Sequence, residues 1–442
     1  MSKSSPKVTA AKPKNVFLKP VTIDLRGLFK GLTKGITHTV IGKWEELGND
    51  AVETLGAFGV STEPGELAFI LIRRSAARAL FDLVGETVGQ VLFEPKKEAE
   101  SLLEQMDLSI ILEGVPVDRK FFDRPGELRL VKDLQRLLRL WLTAQLGDES
   151  ASAAISARFP GYFVYALNQE WWRNLKSYQL LIAALDTPFT KAGEREWAWT
   201  TYAALLKKRV QEGMMGEAFG LDQIFVDLNA YYLVESRGKT PSHEIRKSPE
   251  DRRRMVVSLQ RELEHWLEGR TREDAIRVIS GGPGSGKSSF ARVFAARVAD
   301  RGSPRVLFVP LHLIDPSKDL ADQVGRFVGD EGILVQNPLD PESPEPDLLI
   351  IFDGLDELAS QGKASAETAR GFVREVDRAV EKRNLSSIRL RVLISGRELV
   401  VQENESEFRR PRQVLNLLPI MWLLSRRIPV VAAKSTWIPK VT

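Results

Sequence analysis

One stretch of this 442-residue chain constrains its fold more than any other: a short apolar run that passes directly into a glycine-rich loop. Residues 275–280 (AIRVIS) predict a buried strand, and residues 281–289 (GGPGSGKSS) follow at once. The loop fits G-x-x-x-x-G-K-[ST], the phosphate-binding P-loop, and residues 290–298 then carry an apolar face at helical spacing. Strand, loop and helix in this order predict an α/β fold with a phosphate site beyond the carboxyl end of the strand.

Each residue type in the glycine-rich loop contributes to phosphate binding in its own way. Gly281, Gly284 and Gly286 allow positive φ angles, so that successive backbone N–H groups face the phosphates. Lys287 places a positive charge on the β- and γ-phosphates, and Ser288 offers a hydroxyl ligand to Mg²⁺. The helix that begins here points its positive dipole end at the same anion. The predicted nucleotide-binding residues are Gly281, Gly282, Pro283, Gly284, Ser285, Gly286, Lys287, Ser288 and Ser289.

An uninterrupted apolar run that ends in acidic residues lies further along the chain. Residues 348–352 (LLIIF) show no polar alternation, as a central strand of a parallel sheet should. Asp353 follows this run directly, so its carboxylate is predicted to lie at the carboxyl edge of the sheet. An aspartate in that place holds Mg²⁺, directly or through water. The predicted metal ligands are therefore Ser288 and Asp353.

The remaining strands complete a predicted sheet. A strand at 390–394 ends in the residues SGR, and Arg397 of this group can reach a γ-phosphate from the neighbouring strand. The alternative for Arg397 is a surface ion pair. Further strands are predicted at 306–311 and 412–417. Strands that alternate with helices indicate a parallel five-stranded sheet covered on both faces.

The chain before the loop has a different pattern. Apolar residues recur at helical spacing, most clearly over 128–142. Short strands are then predicted at 224–226 and 231–234, and a helix at 250–269. The predicted organisation is a basic mobile tail with an amphipathic segment (1–45), an all-α helical domain (46–220), connecting strands and a helix (221–270), the α/β domain (271–419) and a basic tail (420–442).

Together these motifs resemble the NACHT family of signal-transduction NTPases, which belong to the STAND group. The resemblance covers residues 271–418 and rests on the glycine-rich loop as Walker A, on LLIIFDGLDEL (348–358) as Walker B and on ISGR (394–397) as sensor 1. Its most specific feature is Gly354, a small residue directly after the magnesium aspartate, where ordinary AAA+ enzymes place a glutamate. Because the acids come later, Asp356 is the candidate for orienting water.

The resemblance implies a nucleotide-controlled switch and a slow enzyme. ATP or dATP would bind with Mg²⁺, Lys287, Asp356 and Arg397 would act on the bound nucleotide, and slow hydrolysis would reset the protein. Activation by an unidentified ligand or protein would permit self-association, and bacterial members of the family act in antiphage defence. A scaffold that binds nucleotide without hydrolysing it is the alternative, and the glycine after Asp353 favours it.

Both ends of the chain are basic. Residues 25–44 combine an apolar helical face with a stripe of basic residues, which permits membrane contact; the interpretation we favour is a helix that caps the next domain. Residues 420–442 contain no acidic residue. The family continues into a winged-helix region at this point, so a C-terminally truncated product is expected, and a short basic anchor is the alternative.

Composition narrows the function classes. The chain has no cysteine, which excludes disulfides and thiolate metal sites, and its four histidines have no paired spacing. The 63 basic and 59 acidic residues give a net charge of +4, which does not indicate sequence-specific nucleic-acid binding. No secretory or membrane-spanning segment is evident, so a cytoplasmic location is expected.

Overall fold

The computed structural model divides between Ile224 and Phe225 into two units, a mainly helical one followed by an α/β one. The amphipathic segment predicted at 25–44 and the basic tail predicted at 420–442 lie outside the described residues. The structure describes residues 7–12, 63–88, 96–105, 112–185, 193–213, 218–235, 252–269, 271–316, 318–341, 345–359, 365–404, 406–408 and 410–419.

The first unit is built from helices, as the spacing of its apolar residues predicts. A short antiparallel pair of strands, β1 (Val8–Thr9) and β2 (Pro116–Val117), is added to them. None of the described helices is both long and apolar enough to cross a membrane. The helices are α1 (Pro64–Val88), α2 (Lys97–Gln105), α3 (Arg119–Asp123), α4 (Arg129–Leu146), α5 (Glu149–Ala157), α6 (Phe159–Arg173), α7 (Gln179–Ala184), α8 (Glu194–Gln211) and α9 (Leu221–Ile224).

In helix α4, the helical spacing of apolar residues in the sequence corresponds to the face that is buried in the structure. Leu134, Leu138 and Leu142 recur at four-residue steps and are buried on one side of the helix. The helix ends at Gly147, whose φ of 73° is a conformation that other residues rarely adopt. Asp148 then begins α5, because its side chain accepts a hydrogen bond from a backbone N–H of the first turn.

Aromatic rings fill the core that these helices surround. The ring of Trp171 stacks on Tyr178 with centroids 5.8 Å apart, and Trp197 and Phe122 contact the same indole. All four rings are buried. Packing of large rings therefore holds α3, α6 and α8 together.

The second unit is an α/β domain. Every predicted strand from 275 onwards is present, and each is separated from the next by a helix. Its elements are β3 (Asn229–Glu235), β4 (Arg252–Ser258), α10 (Leu259–Glu268), β5 (Ile276–Gly281), α11 (Lys287–Arg301), β6 (Arg305–Pro310), α12 (Leu320–Asp330), β7 (Leu348–Asp353), α13 (Leu355–Ala359), α14 (Ser365–Arg383), β8 (Leu390–Arg397), α15 (Glu398–Glu403) and β9 (Val414–Leu417).

The sheet has seven strands rather than the five predicted. Its order is β4-β3-β9-β5-β8-β7-β6, and the five strands from β9 to β6 are parallel, as predicted. Strands β3 and β4 pair with each other antiparallel, and β3 pairs antiparallel with β9. The two additional strands therefore extend a parallel core at one edge.

Two local predictions before the P-loop are wrong. Residues 252–258 form β4, whereas the sequence predicts a helix from 250; the β-branched pair Val256 and Val257 suits a strand, and pairing with β3 decides the outcome. The helix α10 begins only at Leu259. The predicted strand at 224–226 is absent, since Ile224 ends α9 and the following residues form a loop.

A matched pair of leucines tests the packing of α4. Leu134 is buried, whereas Leu140 on the same helix is 47% exposed. We expect Leu134→Ala to lower the free energy of unfolding by about 2–5 kcal/mol, because it leaves a cavity in the core. The change in Leu140→Ala should stay within about 0.5 kcal/mol. Urea unfolding followed by tryptophan fluorescence measures both, and equal losses would contradict the assigned face.

Candidate functional site

The glycine-rich loop connects β5 directly to α11. Gly281 is the last residue of β5, and Lys287 is the first residue of α11. Gly284 and Gly286 have φ angles of 69° and 89°, so the loop uses the left-handed conformations for which glycine is suited. The N–H of Phe290 donates to Gly286 O at 2.8 Å and forms the first turn of the helix. The backbone thus has the form of an anion-binding loop at a helix N-terminus.

Two serine hydroxyls in this region are suited to a polar ligand. Ser280 Oγ and Ser285 Oγ are both buried and have no hydrogen-bond partner in the structure. A Cβ atom at Gly281 would lie 2.7 Å from Ser285 Oγ, so glycine is needed where the two segments meet. Buried polar atoms that lack partners are costly. The unpartnered hydroxyl of Ser285 lies within the glycine-rich loop, which supports the fit of the loop to a polar ligand such as a phosphate.

Lys287 lies within the curve of the loop. Its ammonium group donates to Gly281 O and Gly282 O, each at 2.9 Å. Burial lowers the pKa of Lys287 below its ordinary value; the nearby Asp356 and Asp353 carboxylates raise it, and Arg397 lowers it further. A polyphosphate bound next to this ammonium would add negative charge and so favour its protonated form.

The predicted metal ligands lie next to each other. Ser288 Oγ is 3.2 Å from Asp353 Oδ1, although the two residues belong to different elements, α11 and β7. Ser395 Oγ, at the end of β8, donates to the same carboxylate oxygen and accepts from the N–H of Gly354 at 3.1 Å. A hydroxyl and a carboxylate oxygen are hard oxygen ligands of the kind that Mg²⁺ prefers, so Ser288 and Asp353 would hold such an ion.

Asp356 and Arg397 form a pair beside this group. Arg397 Nε lies 2.7 Å from Asp356 Oδ2, and the backbone N–H of Arg397 donates to Asp356 Oδ1 at 3.1 Å. The side chain of Arg397 is 59% exposed and that of Asp356 is 15% exposed. Arg397 thus forms an ion pair with Asp356 at the edge of the sheet where the glycine-rich loop lies. Its proposed contact with a γ-phosphate stays a prediction.

Comparison with known proteins agrees with this geometry. The family model described as NACHT domain matches residues 276–417, and the model described as NACHT N-terminal Helical domain 3 matches residues 16–221. The chain is a NACHT-domain protein. A search of curated proteins finds none that matches it. A NACHT domain implies a nucleotide-binding NTPase with a role in signalling, and such domains bind nucleotide and typically Mg²⁺.

The NACHT domain also contains residues that the sequence did not identify as functional. Ser395 bridges Asp353 and Gly354, and Glu357 lies against His312 with Oε2 and Nδ1 2.9 Å apart. A hydroxyl directly after an apolar strand was the available signal for Ser395. His312 and Glu357 are far apart in the sequence, and only the pairing of β6 with β7 brings them together.

Ser395 gives a test of the hydrogen-bond network in the NACHT domain. We expect Ser395→Ala to lower the free energy of unfolding by about 1–3 kcal/mol, because it leaves the buried Gly354 N–H without its partner. Ser386, an exposed residue of the same domain, provides the control, and its alanine variant should change stability by less than about 0.5 kcal/mol. Urea denaturation of both variants checks this, and an unchanged midpoint for Ser395→Ala would count against the network.

Proposed function

We propose that this NACHT-domain protein is an ATP-controlled signalling switch that acts in the cytoplasm. ATP or dATP binds with Mg²⁺ at the P-loop, the occupied state self-associates in response to an unidentified trigger, and slow hydrolysis resets the protein. Antiphage defence is the setting that the family suggests. The observation that carries this proposal is the convergence of Lys287, Ser288 and Asp353 at the carboxyl edge of the sheet.

Each of these residues has a distinct role in the proposal. Lys287 neutralises the β- and γ-phosphates, and the loop amides bind the same groups. Ser288 and Asp353 would hold Mg²⁺, which neutralises charge on the phosphate oxygens when it is bound. The ammonium of Lys287 now contacts two loop carbonyls, so phosphate binding exchanges these contacts for charge-assisted ones.

The response to the γ-phosphate is assigned to Arg397. Its guanidinium is exposed and is held at the edge of the sheet by Asp356. Exchange of this carboxylate for a phosphate would release Asp356 and the one-turn helix α13 that carries it. Ordering or release of a segment by a γ-phosphate is an established type of switch.

A scaffold that binds nucleotide without hydrolysing it is the second candidate. One observation favours it: Asp356, the acid that the sequence pattern selects for orienting water, has both carboxylate oxygens engaged by Arg397. Turnover above background by the purified chain would exclude this candidate. Hydrolysis that stops on Asp353→Ala would assign the turnover to this site.

Nucleotide binding is the primary test of the switch. Lys287→Ala should abolish the binding of ATP, because the variant loses the charge that faces the phosphates, whereas Lys382→Ala on the exposed side of α14 should bind as the wild type does. Isothermal calorimetry with Mg²⁺ measures both. Tight ATP binding by the Lys287 variant would contradict the proposed site.

Two further experiments test the role of Mg²⁺ in ATP binding and the oligomerisation step. Asp353→Ala should bind ATP equally well with and without Mg²⁺, because it lacks the carboxylate that holds the ion.

Mass photometry of the wild-type chain should show larger particles with Mg²⁺–ATP than with Mg²⁺–ADP. A particle size that does not depend on the nucleotide would contradict the oligomerisation step.

A further inference from the structure

Strand β4 forms one edge of the seven-stranded sheet. All seven of its residues pair with β3, and no other strand of the described chain pairs with its outer side. The backbone N–H and C=O groups on that side are therefore available to a further strand, as at any exposed sheet edge. The two family models match residues 16–221 and 276–417, so β3 and β4 lie in a segment that neither model covers. The family match consequently does not explain this edge.

One face of the β3–β4 hairpin is open to solvent. The register places Tyr231 opposite Val256. Two positions further on it places Leu233 opposite Arg254, and these four side chains share a face because alternate residues of a strand point to the same side. Leu233 is 41% exposed and Val256 is 38% exposed. This face therefore combines aliphatic surface with a cation directly beside the outer edge.

Two exposed arginines of β4 have no acidic neighbour directly across the strand pair. Arg254 lies opposite Leu233, and Arg253 lies opposite Val234. The guanidinium of Arg254 lies instead over the ring of Tyr231, with its Cζ 4.7 Å from the ring centroid. An aromatic ring attracts a cation without neutralising its charge. The edge of the sheet therefore presents positive charge at a defined position.

A strand added to this edge would bring its own side chains beside those of β4. Opposite charges directly across a strand pair are favourable, and like charges are unfavourable. A strand that suits this edge therefore places an acidic residue beside Arg254. Two positions along the same face, an apolar residue of that strand would cover the exposed side chain of Val256. The edge thus favours an extended segment in which an acidic and an apolar residue are two positions apart.

A second copy of this chain suits the edge poorly. Pairing of two β4 strands would bring together two runs of three arginines, residues 252–254 of each copy. Like charges that lie close together in a sheet disfavour such a pair. Charged side chains at a sheet edge also discourage non-specific pairing between identical sheets. An acidic strand from another protein avoids this repulsion and gains attraction in its place.

We propose that the outer edge of β4 binds an acidic, extended segment of a partner protein, which joins the sheet as an additional strand. Backbone hydrogen bonds along the edge supply affinity, and contacts with Arg254 and Val256 supply selectivity. Two strands, β3 and β9, separate β4 from β5, the strand that leads into the glycine-rich loop. The inference therefore goes beyond the proposed function and does not depend on nucleotide binding.

Selection from a random-peptide library displayed on phage, with the immobilised full chain as bait, tests the sequence preference. The wild type should enrich peptides in which an acidic and an apolar residue are two positions apart. Arg254→Glu should enrich basic residues instead, because the charge beside the added strand is reversed. Arg261→Glu, at an exposed position of α10, should select the same peptides as the wild type. A selection that enriches no acidic peptide, or an acidic preference that survives Arg254→Glu, overturns the inference.

Affinity and hydrogen exchange then locate the bound peptide. By fluorescence anisotropy, a selected acidic peptide should bind Arg254→Glu about tenfold more weakly than the wild type, whereas Arg254→Lys, which keeps the charge, should bind within about twofold. Addition of the peptide should slow amide exchange over residues 252–258, since the new strand engages the outer backbone groups of β4.

Three outcomes contradict the proposal at this stage. The first is slower exchange at other residues with none at 252–258. The second is a wild-type chain that forms dimers through β4 without peptide. The third is an edge that binds an RNA oligonucleotide or anionic vesicles more tightly than the acidic peptide, because arginines alone would then account for the binding.

Discussion

The in-register parallel pairing of three central strands brings the whole site together. Strand β5 pairs with β8 so that Gly281 lies opposite Arg397, and β7 pairs with both β8 and β6. The carboxyl ends of the strands therefore meet at one edge, and the glycine-rich loop, Asp353 and Arg397 extend from it. A slip of one residue in this register would turn each of these side chains to the wrong face. The apolar character of β5 and β7 stabilises the register, because every residue of both strands is buried.

Gly354 forms the turn that directly follows Asp353 at this edge of the sheet. The residue has a positive φ and no space for a side chain, and both conditions follow from the turn that brings Glu357 back over it. Glycine at this position therefore lets the chain turn sharply after Asp353 and lets Glu357 pack against residue 354. The same turn directs the N–H of Gly354 to Ser395 Oγ, the hydroxyl that donates to Asp353.

The sequence predicts some parts of this protein well for identifiable physical reasons. The P-loop and the strand before Asp353 follow from local rules, because φ requirements and continuous apolar runs can be read from neighbouring residues. The edge strand β4 could not be predicted, since residues 252–258 carry apolar positions at a spacing that also suits a helix, and only pairing with β3 selects the strand. The His312–Glu357 contact likewise depends on which strands are neighbours.

The chain segment that leads into the additional strand β3 packs against α11 and the P-loop. The chain enters the α/β unit along α11, where Phe225 packs on the ring of Phe290 and Asp227 pairs with Arg297. Leu228 then reaches the loop itself, because a Cβ atom at Gly286 would lie 3.3 Å from its Cδ1. The O of the same leucine accepts from the N–H of the first residue of α10, which fixes it to the β3–β4 hairpin. Leu228 thus packs next to Gly286 and joins the glycine-rich loop to the antiparallel edge of the sheet.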